Sequence, residues 1–568
     1  MDRRSFLFLM SGVVGACASK KTLDVITDKP TEEVTPPPVV DDGTINGTKI
    51  LDGNNVHGLI KDSDGAPVKG VPVTDGYTYV KTDKNGVYQF KADSKATFVY
   101  YSLPSGYAIE QTEANSLPSF YRKINPGDKN RNDFTLVKIA SSSSFSFAVL
   151  GDIHVRDTAT STKFRNGAMK QIGEYFKANP SAGPVFGVSL GDIINNAKDP
   201  DTYAMARGAL RSAEYASGKY VPFYTVIGNH DHNARKGDKS QSGTEGFDKG
   251  TETDYANIFG PTCYSFNIGR AHFVAIDNYI SKAEPNSSST ALSGQGATGL
   301  SEDVYKWIVK DLELVDNKAV KMVVVLQHCH VRGFADIPHR EDLLDKLSAF
   351  NTAYIFSGHA HICETYKYKV TAQSGKPIIE RIHGVPMGNF WYSRYNPDGS
   401  PAGFYIYNVN GSDFSSWEYR PVHDPSDQMR VYDTNDVYDK TSDWSHQYAW
   451  KNNALFAEGN FLIAHIYNGD EDWEVSLEHE GKMKKMTFAN QRISDYCVNC
   501  HLANDNIEGI RTSWKYHWDN SENWWYIKLD KPASELTGWR VVAKAKFPGS
   551  SETIMYTCDK ITKKLDEK

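Results

Sequence analysis

The stretch VPFYTVIGNHDHNA, residues 221–234, runs from an apolar β-type segment directly into an amide, two imidazoles and a carboxylate. Four other stretches share this design, namely FAVLGDIH (147–154), FGVSLGDII (186–194), MVVVLQHCH (322–330) and AYIFSGHAH (353–361). In open α/β sheets, functional groups collect at the carboxyl ends of the strands because the loops there converge on one edge. The sequence therefore predicts that five strand ends meet in one site.

Amphipathic helices between these strands complete an α/β pattern. Two sets of residues fall on single helical faces, Phe164, Ala168, Met169, Ile172, Tyr175 and Phe176 in the first and Val304, Ile308, Leu312 and Val315 in the second. We therefore expect an α/β domain over residues 144–420.

The five strand ends carry a mixed set of oxygen and nitrogen ligands: Asp152, His154, Asp192, Asn229, His328, His359 and His361. This set is too large for one tetrahedral ion, and two ions that share a carboxylate fit better. Imidazole suits borderline transition metals and carboxylate suits harder ones, so Mn, Fe, Zn and Co all stay open. A lone histidine is usually a core or surface residue, but that explanation would have to cover all five strand ends at once.

The order of the blocks, GDxH, GD, GNHD, a strand-terminal His and GHxH, resembles the calcineurin-like metallophosphoesterase superfamily over the whole central domain. The resemblance implies a four-layer αββα core and a phosphoester hydrolase in which a metal-bridging hydroxide attacks phosphorus in line. It also implies a role for each ligand: Asp152, His154 and His361 on one ion, Asn229, His328 and His359 on the other, and Asp192 as the bridge. His230 corresponds to the family's catalytic histidine, which protonates the leaving group.

The chain departs from the family pattern at two points. Phosphoprotein phosphatases of the superfamily have Asp-Arg-Gly after the second block, and its Asp orients the catalytic histidine, whereas this chain has Asn195 there. This difference disfavours a protein phosphatase. After His328 come Cys329 and His330, where relatives often have an apolar residue and Pro; His330 is predicted either to support a ligand or to be exposed.

The substrate is expected to be a small phosphorylated molecule, monoester or diester. Arg156, Arg332 and Arg394 follow metal-bearing strand ends or lie in nearby loops, although each is equally well explained as a solvated surface residue. Trp391 and Arg394 belong to NFWYSRY (389–395), whose four aromatic residues suggest a wall for a sugar, nucleoside or aryl leaving group. Core packing explains these aromatic residues about equally well.

The first 17 residues predict export. VGAC (14–17) resembles the lipobox of bacterial lipoproteins, in which the cysteine is lipidated, and RRSFL (3–7) resembles a twin-arginine signal. An ordinary cleaved signal peptide is the alternative. We expect a signal peptide over 1–17 with Cys17 as the anchor, and a flexible linker rich in Pro, Thr and acidic residues over 18–48. The protein would be attached to a bacterial membrane through this lipid alone, facing the periplasm or the cell exterior.

Two β-domains are predicted to flank the central domain. Residues 49–138 alternate short β-type runs with Asp-Gly and Asn-Gly turns, and they resemble carboxypeptidase-regulatory-like β-sandwiches. Residues 421–568 lose the helical period and hold eight of the 11 tryptophans, which predicts a second β-rich domain. In that domain, aromatic residues such as Trp518 are predicted mainly to pack in the core or at a sheet edge. Both domains resemble those found with this catalytic core in exported Bacteroidetes-type proteins.

Composition limits the other function classes. The 568 residues are 40% hydrophobic and 23% charged with a formal charge of -7, which is typical of a globular protein and gives no basic bias toward nucleic acid. CVNCH (497–501) matches a haem-attachment pattern, but turn formers surround it, so haem is not expected and a loop disulfide or free thiols are favoured. Two alternatives stay open: a redox protein that uses Cys497 and Cys500, and a non-catalytic surface-binding lipoprotein on the same scaffold.

Overall fold

The computed structural model describes twelve segments of the chain, residues 43–109, 117–140, 143–181, 183–197, 200–237, 245–281, 296–332, 338–388, 391–439, 447–504, 518–551 and 553–565. The predicted signal peptide, Cys17 and most of the predicted linker lie outside them. Among the residues that the structure describes, no helix combines the length and apolar character needed to cross a membrane.

The N-terminal region is built from eleven strands: β1 (Thr44–Ile45), β2 (Thr48–Lys49), β3 (Val56–Asp62), β4 (Pro72–Thr74), β5 (Tyr79–Lys81), β6 (Val87–Phe90), β7 (Phe98–Tyr101), β8 (Tyr107–Ile109), β9 (Tyr121–Lys123), β10 (Asn130–Arg131) and β11 (Phe134–Lys138). One sheet has the order β10-β3-β11-β8 with β6 on β3, and the other has the order β5-β4-β7-β9. The end of the predicted linker overlaps β1 and β2, where Asn46 and Gly47 adopt positive φ angles of 45° and 80° and turn one strand onto the other.

The central region contains fifteen strands and seven α-helices: β12 (Ser144–Leu150), α1 (Thr158–Phe164), α2 (Lys170–Ala178), β13 (Val185–Ser189), α3 (Pro200–Leu210), β14 (Glu214–Ala216), β15 (Lys219–Tyr220), β16 (Phe223–Thr225), α4 (Glu245–Thr251), α5 (Thr253–Phe259), β17 (Tyr264–Ile268), β18 (Ala271–Ala275), β19 (Tyr279–Ser281), β20 (Gly296–Thr298), α6 (Glu302–Leu314), β21 (Met322–Leu326), α7 (Arg340–Leu347), β22 (Thr352–Ser357), β23 (Glu364–Thr371), β24 (Pro377–Ile382), β25 (Gly403–Asn410) and β26 (Asp413–Pro421). A π-helical turn, Arg165–Met169, joins α1 to α2.

Two sheets form the centre of this region, one with the order β16-β13-β12-β25-β26 and the other with the order β17-β18-β21-β22-β24-β23. Phe147 of the first sheet contacts Phe273 and Phe356 of the second, with ring centroids 5.4 and 6.4 Å apart. The opposite face of the first sheet shares a buried cluster with Phe164 and Ile172, on the helical face that the sequence predicted. The expected α/β core with flanking β-rich regions is thus present.

The motif-bearing strands run parallel within each sheet. β12, β13 and β16 pair in parallel in the first sheet, and β18, β21 and β22 pair in parallel in the second. Their apolar residues are buried, as expected for strands covered on both faces. Parallel pairing brings their carboxyl ends, and the polar residues that follow, to a common edge.

The C-terminal region has twelve strands and one α-helix: β27 (Met429–Asp433), β28 (Val437–Asp439), β29 (Gln447–Ala449), β30 (Asn460–Ile466), β31 (Glu474–His479), β32 (Lys482–Lys485), β33 (Thr487–Phe488), β34 (Ile493–Ser494), α8 (Tyr496–Leu502), β35 (Asn520–Ser521), β36 (Trp524–Leu529), β37 (Trp539–Ala545) and β38 (Ile554–Cys558). Its two larger sheets have the orders β27-β30-β36-β33 and β32-β31-β37-β38.

The Cys-x-x-Cys segment is helical, contrary to the expectation of a turn-rich loop. Asp495 caps α8 by accepting a hydrogen bond from the main-chain nitrogen of Val498, 3.1 Å away, and this cap outweighs the weak helical pattern. Cys497 and Cys500 are buried in α8, and no disulfide joins the six cysteines within the described segments.

Candidate metal centre

The five motif-bearing strands bring their terminal side chains together. Asp152 and His154 follow β12, Asp192 follows β13, and Asn229 follows β16, whereas His328 follows β21 and the His359 and His361 pair follows β22. Among the described residues, four three-residue groups have ligand atoms that all lie within 4.8 Å of one another: Asp152 with His154 and His361, Asp152 with Asp192 and His328, His154 with Asp192 and His230, and His328 with Cys329 and His359. The two sheets thus contribute jointly to one site.

Strained backbone accompanies this convergence. His154, Asp192, His359 and His361 have φ angles of 52°, 46°, 67° and 58°, in the left-handed region that residues other than glycine rarely adopt. Each such residue costs on the order of 1–3 kcal/mol and persists where the surrounding structure imposes it, commonly at functional sites. Four such residues in one cluster indicate that the backbone at the strand ends directs these side chains into a common site.

Imidazole nitrogens face one another in the first half of the site. Nε2 of His154 lies 3.0 Å from Nε2 of His361, which in turn lies 3.4 Å from Oδ1 of Asp152. Burial is the main cause that lowers the pKa of His154 to about 3. Two imidazoles whose nitrogens converge beside a carboxylate have the donor chemistry of a transition-metal site.

The second half of the site combines an amide with two imidazoles. Nε2 of His328 lies 2.9 Å from Oδ1 of Asn229 and 3.2 Å from Nδ1 of His359. Burial opposes charge on His328, but Asp192 and Asp152 overcome it and raise the pKa of His328 to about 10. These buried carboxylates therefore create a negative potential that favours a cation here.

Asp192 lies between the two halves. Its Oδ1 is 3.3 Å from Nε2 of His328, and its Oδ2 is 3.7 Å from Nε2 of His154. Each carboxylate oxygen therefore faces a different group of ligands.

His230 is fixed beside this centre by main-chain contacts. Its Nδ1 lies 2.6 Å from the carbonyl oxygen of Asn195, and its main-chain nitrogen donates to Oδ1 of Asp192 at 2.7 Å. Its Nε2, 3.9 Å from Oδ2 of Asp192, faces the site, and the side chain is 23% exposed. The carbonyl of Asn195 thus orients the ring.

Asp231 secures the loop that carries Asn229 and His230. The fully buried carboxylate accepts hydrogen bonds from the main-chain nitrogens of Gly228, Ile193 and Ile194 at 2.9, 3.2 and 3.1 Å. Burial, assisted by Asp192, raises its pKa to about 7. Its role is therefore to join the loop after β16 to the loop after β13.

Asn278 holds the loop of His328, although it lies outside the five strand ends that the sequence predicted. Oδ1 of Asn278 accepts from the main-chain nitrogens of His328 and Cys329 at 3.2 and 2.9 Å, and its Nδ2 donates to the carbonyl of Cys329 at 2.6 Å. The sequence contains a signal for it, because AHFVAIDN (271–278) is another apolar strand that ends in polar residues.

A polar cavity of about 330 Å³ lies over the site. Its lining comprises Asp192, Asn229, His230, His330, His359, Ala360, His361, Pro397, Trp518 and Asp519. His330 therefore lies at the cavity rather than on an unrelated surface. Trp518 and Asp519 belong to the C-terminal region, so the lining crosses a domain boundary.

None of the four residues predicted to bind substrate belongs to this lining. Nε1 of Trp391 donates to the carbonyl of His154 at 2.9 Å, and the guanidinium of Arg156 lies 4.6 Å from the Trp391 ring centre. Arg332 is bound by Glu364 and is only 10% exposed, and the guanidinium of Arg394 lies over the Tyr395 ring at 5.9 Å. The ion pair with Glu364 is the physical reason that Arg332 does not face the cavity.

Comparisons with known proteins agree with this architecture. The Calcineurin-like phosphoesterase family matches residues 145–363, and models for its N-terminal and C-terminal domains match residues 54–139 and 380–538. Purple acid phosphatase 15 of Arabidopsis thaliana is 25% identical over 228 residues, a match that covers 35% of this chain and 38% of that protein. The chain thus matches well under half of that curated relative's length.

Two solved structures can be compared with this one. Purple acid phosphatase PPD1 from yellow lupin (Lupinus luteus) seeds has a TM-score of 0.34 at 17% identity, covering 50% of this chain and 52% of its own. Zinc-complexed Vps29 from Entamoeba histolytica has a TM-score of 0.21 at 13% identity, covering 48% of this chain and 91% of its own. Together, the three family matches and the purple acid phosphatase relative support the membership of this chain in the calcineurin-like phosphoesterase superfamily.

Proposed function

We propose that the protein is a dinuclear-metal-dependent phosphoester hydrolase. Asp192 carries the proposal, because its two oxygens face two separate groups of ligand-type side chains. One ion would be held by Asp152, His154 and His361, and the other by Asn229, His328 and His359. The donor set of imidazole, amide and carboxylate suits Mn, Fe, Zn or Co. We also propose that the core has the four-layer αββα arrangement that the family resemblance implies.

The protein's own groups would position the phosphoester and supply a proton. With two divalent ions held by these residues, charge on the phosphoryl group would be neutralised and an activated water would be supplied for in-line attack. Nδ1 of His230 donates to the carbonyl of Asn195, so Nε2 can give a proton to the leaving oxygen only when the ring is an imidazolium. One water is consumed, the ester P–O bond breaks, and the alcohol leaves with the proton from His230.

The test is metal-dependent hydrolysis by the purified protein. Metal content is measured after loading with each candidate ion, and phosphate release from p-nitrophenyl phosphate is followed before and after chelation. We expect about two ions per chain and activity that disappears on chelation and returns with metal. Activity that survives complete removal of metal would contradict the proposal, as would a fully loaded protein that hydrolyses no phosphoester.

We further propose that the protein is exported and anchored through lipid on Cys17, with a small phosphorylated substrate and no nucleic-acid partner. The sequence VGAC and the polar linker behind it support the anchor. Cys17→Ser should move the protein from the membrane fraction to the soluble fraction and leave turnover unchanged. Membrane retention equal to that of the unsubstituted protein would argue against lipidation.

A further inference from the structure

The cavity over the predicted metal ligands has an unusual charge pattern. Its described lining includes the carboxylate of Asp519 and the ring of Trp518, but no lysine or arginine. The side chain of Asp519 is 49% exposed, so its charge is available to a molecule in the cavity. Arg492 pairs with Asp519 at 3.2 Å, but it does not belong to the described lining, where the carboxylate disfavours a second phosphate group.

Trp518 and Asp519 form one wall of the cavity. Hydrogen bonds hold this wall in a fixed position relative to the predicted metal ligands. The main-chain nitrogen of Asp519 donates to the carbonyl of Pro397 at 2.9 Å, and Oδ1 of Asp519 accepts from Arg492 at 3.2 Å. Arg492 also donates to Glu364 at 2.9 Å, three residues after His361. Trp518 packs edge-on against Tyr448, with ring centroids 5.9 Å apart.

We propose that Trp518 and Asp519 select phosphoesters whose leaving alcohol carries an ammonium group. This inference rests on the proposed hydrolase function and adds its substrate class. An ammonium group gains from the face of an indole ring and from a nearby carboxylate, and Trp518 and Asp519 are consecutive residues of the cavity lining. The phosphoryl end would lie at the metal-type residues, and the cationic end would lie against the C-terminal region.

The experiment compares two phosphoesters of equal shape with the metal-loaded, full-length protein. Choline phosphate carries a trimethylammonium group, and 3,3-dimethylbutyl phosphate replaces it with a neutral tert-butyl group. We expect kcat/KM to favour choline phosphate by about tenfold, in line with one desolvated cation–π contact. A ratio near one, or a preference for the neutral ester, would overturn the inference. If p-nitrophenyl phosphate and both esters stay intact, the hydrolase proposal itself has failed.

Variants of Trp518 and Asp519 test whether these two residues cause the preference for choline phosphate. Within each variant, the ratio of kcat/KM for the two esters is the readout, so a general loss of activity or folding cancels. Asp519→Asn and Trp518→Leu should each bring the ratio toward one. Asp472→Asn is the matched control, because it removes an exposed carboxylate that binds Lys367 at 2.6 Å outside the cavity, and it should keep the ratio. An unchanged ratio in both wall variants would overturn the assignment.

The same ammonium chemistry occurs in soluble esters and in lipid headgroups. Choline release is therefore measured from choline phosphate and, separately, from phosphatidylcholine vesicles. Release from the soluble ester alone identifies a small-molecule source, and release from vesicles identifies a headgroup source. Release from neither substrate, while p-nitrophenyl phosphate is hydrolysed, would contradict the inference and leave the hydrolase proposal standing.

Discussion

The floor and the wall of the cavity are built in opposite ways. The floor consists of strand-end side chains from two sheets, almost all buried, with left-handed backbone at four positions. The wall consists of Pro397, Trp518 and Asp519, and the last two are at least partly exposed parts of a separate β-region. In the floor, the ligand atoms lie close to one another, whereas the wall presents one indole ring and one carboxylate to the cavity.

This difference indicates how the two parts divide the work. Buried donors that converge within 4.8 Å can hold ions tightly, but they have little freedom to distinguish one alcohol from another. Partly exposed groups on a neighbouring region can change without disturbing the ions. We therefore expect changes in the floor to alter metal content and turnover, and changes in the wall to alter substrate preference.

The largest effect is expected at Asp192. Asp192→Ala removes the carboxylate that faces both ligand groups, so both ions should be lost together with nearly all activity. Asp152→Ala is the comparison variant, and it should weaken mainly one site because the proposed assignment gives Asp152 to one ion only. Metal stoichiometry is measured on the samples used for kinetics. Full occupancy of two sites in the Asp192 variant would contradict the bridging role.

His230 should affect turnover without affecting the ions. An alkoxide leaving group needs a proton in the transition state, whereas a nitrophenolate largely does not. His230→Ala should therefore lose about 10²–10⁴-fold on alkyl phosphates, or roughly 3–5 kcal/mol of barrier, and far less on p-nitrophenyl phosphate. Equal losses on the two substrates would reject the role of His230 as the acid, and a loss of metal would indicate a structural role.

Asn278 offers a smaller test of the floor. Asn278→Ala removes the hydrogen bonds that hold the His328 loop, and losses of such supporting contacts typically cost about 10–100-fold in metal affinity or activity. Excess metal should restore most of the activity, because every ligand is still present. Asn267→Ala is a control at a partly buried amide that binds Leu103 and Ser102 away from the site. Loss that excess metal does not relieve would contradict this explanation.

Much of the floor could be predicted because the order of residues within each short stretch of sequence determines where its ligands lie. Each ligand follows an apolar strand, so the pattern identifies both the strand and its functional end. The role of Asn278 was missed because its partners are main-chain atoms fifty residues away, which no local pattern reveals. The helix over the Cys-x-x-Cys segment was missed because a single cap at Asp495 decides it.

The wall could not be predicted, for a different reason. Trp518 packs against a buried cluster of the C-terminal region, as expected, but its position at the cavity depends on how that region docks. That docking involves Arg492 and Glu364, which are separated by 128 residues in the sequence. An ion pair over this distance follows from the fold, and neither residue is distinctive by type or spacing.

The smallest effect is expected where floor and wall meet, at Arg492. Arg492→Met would break its contacts with Glu364 and Asp519, but Glu364 would keep its ion pair with Arg332. The cost in stability should be about 1–2 kcal/mol, below the value for a buried charge left without any partner.

Metal content and hydrolysis of p-nitrophenyl phosphate should persist in Arg492→Met, because no group that faces the ions is changed. The preference for choline phosphate over its neutral analogue should fall a few-fold as Asp519 loses its fixed position. Thermal unfolding, metal analysis and the two-ester ratio measure these three effects, and a loss of metal larger than the change in the ratio would show that Arg492 supports the floor instead.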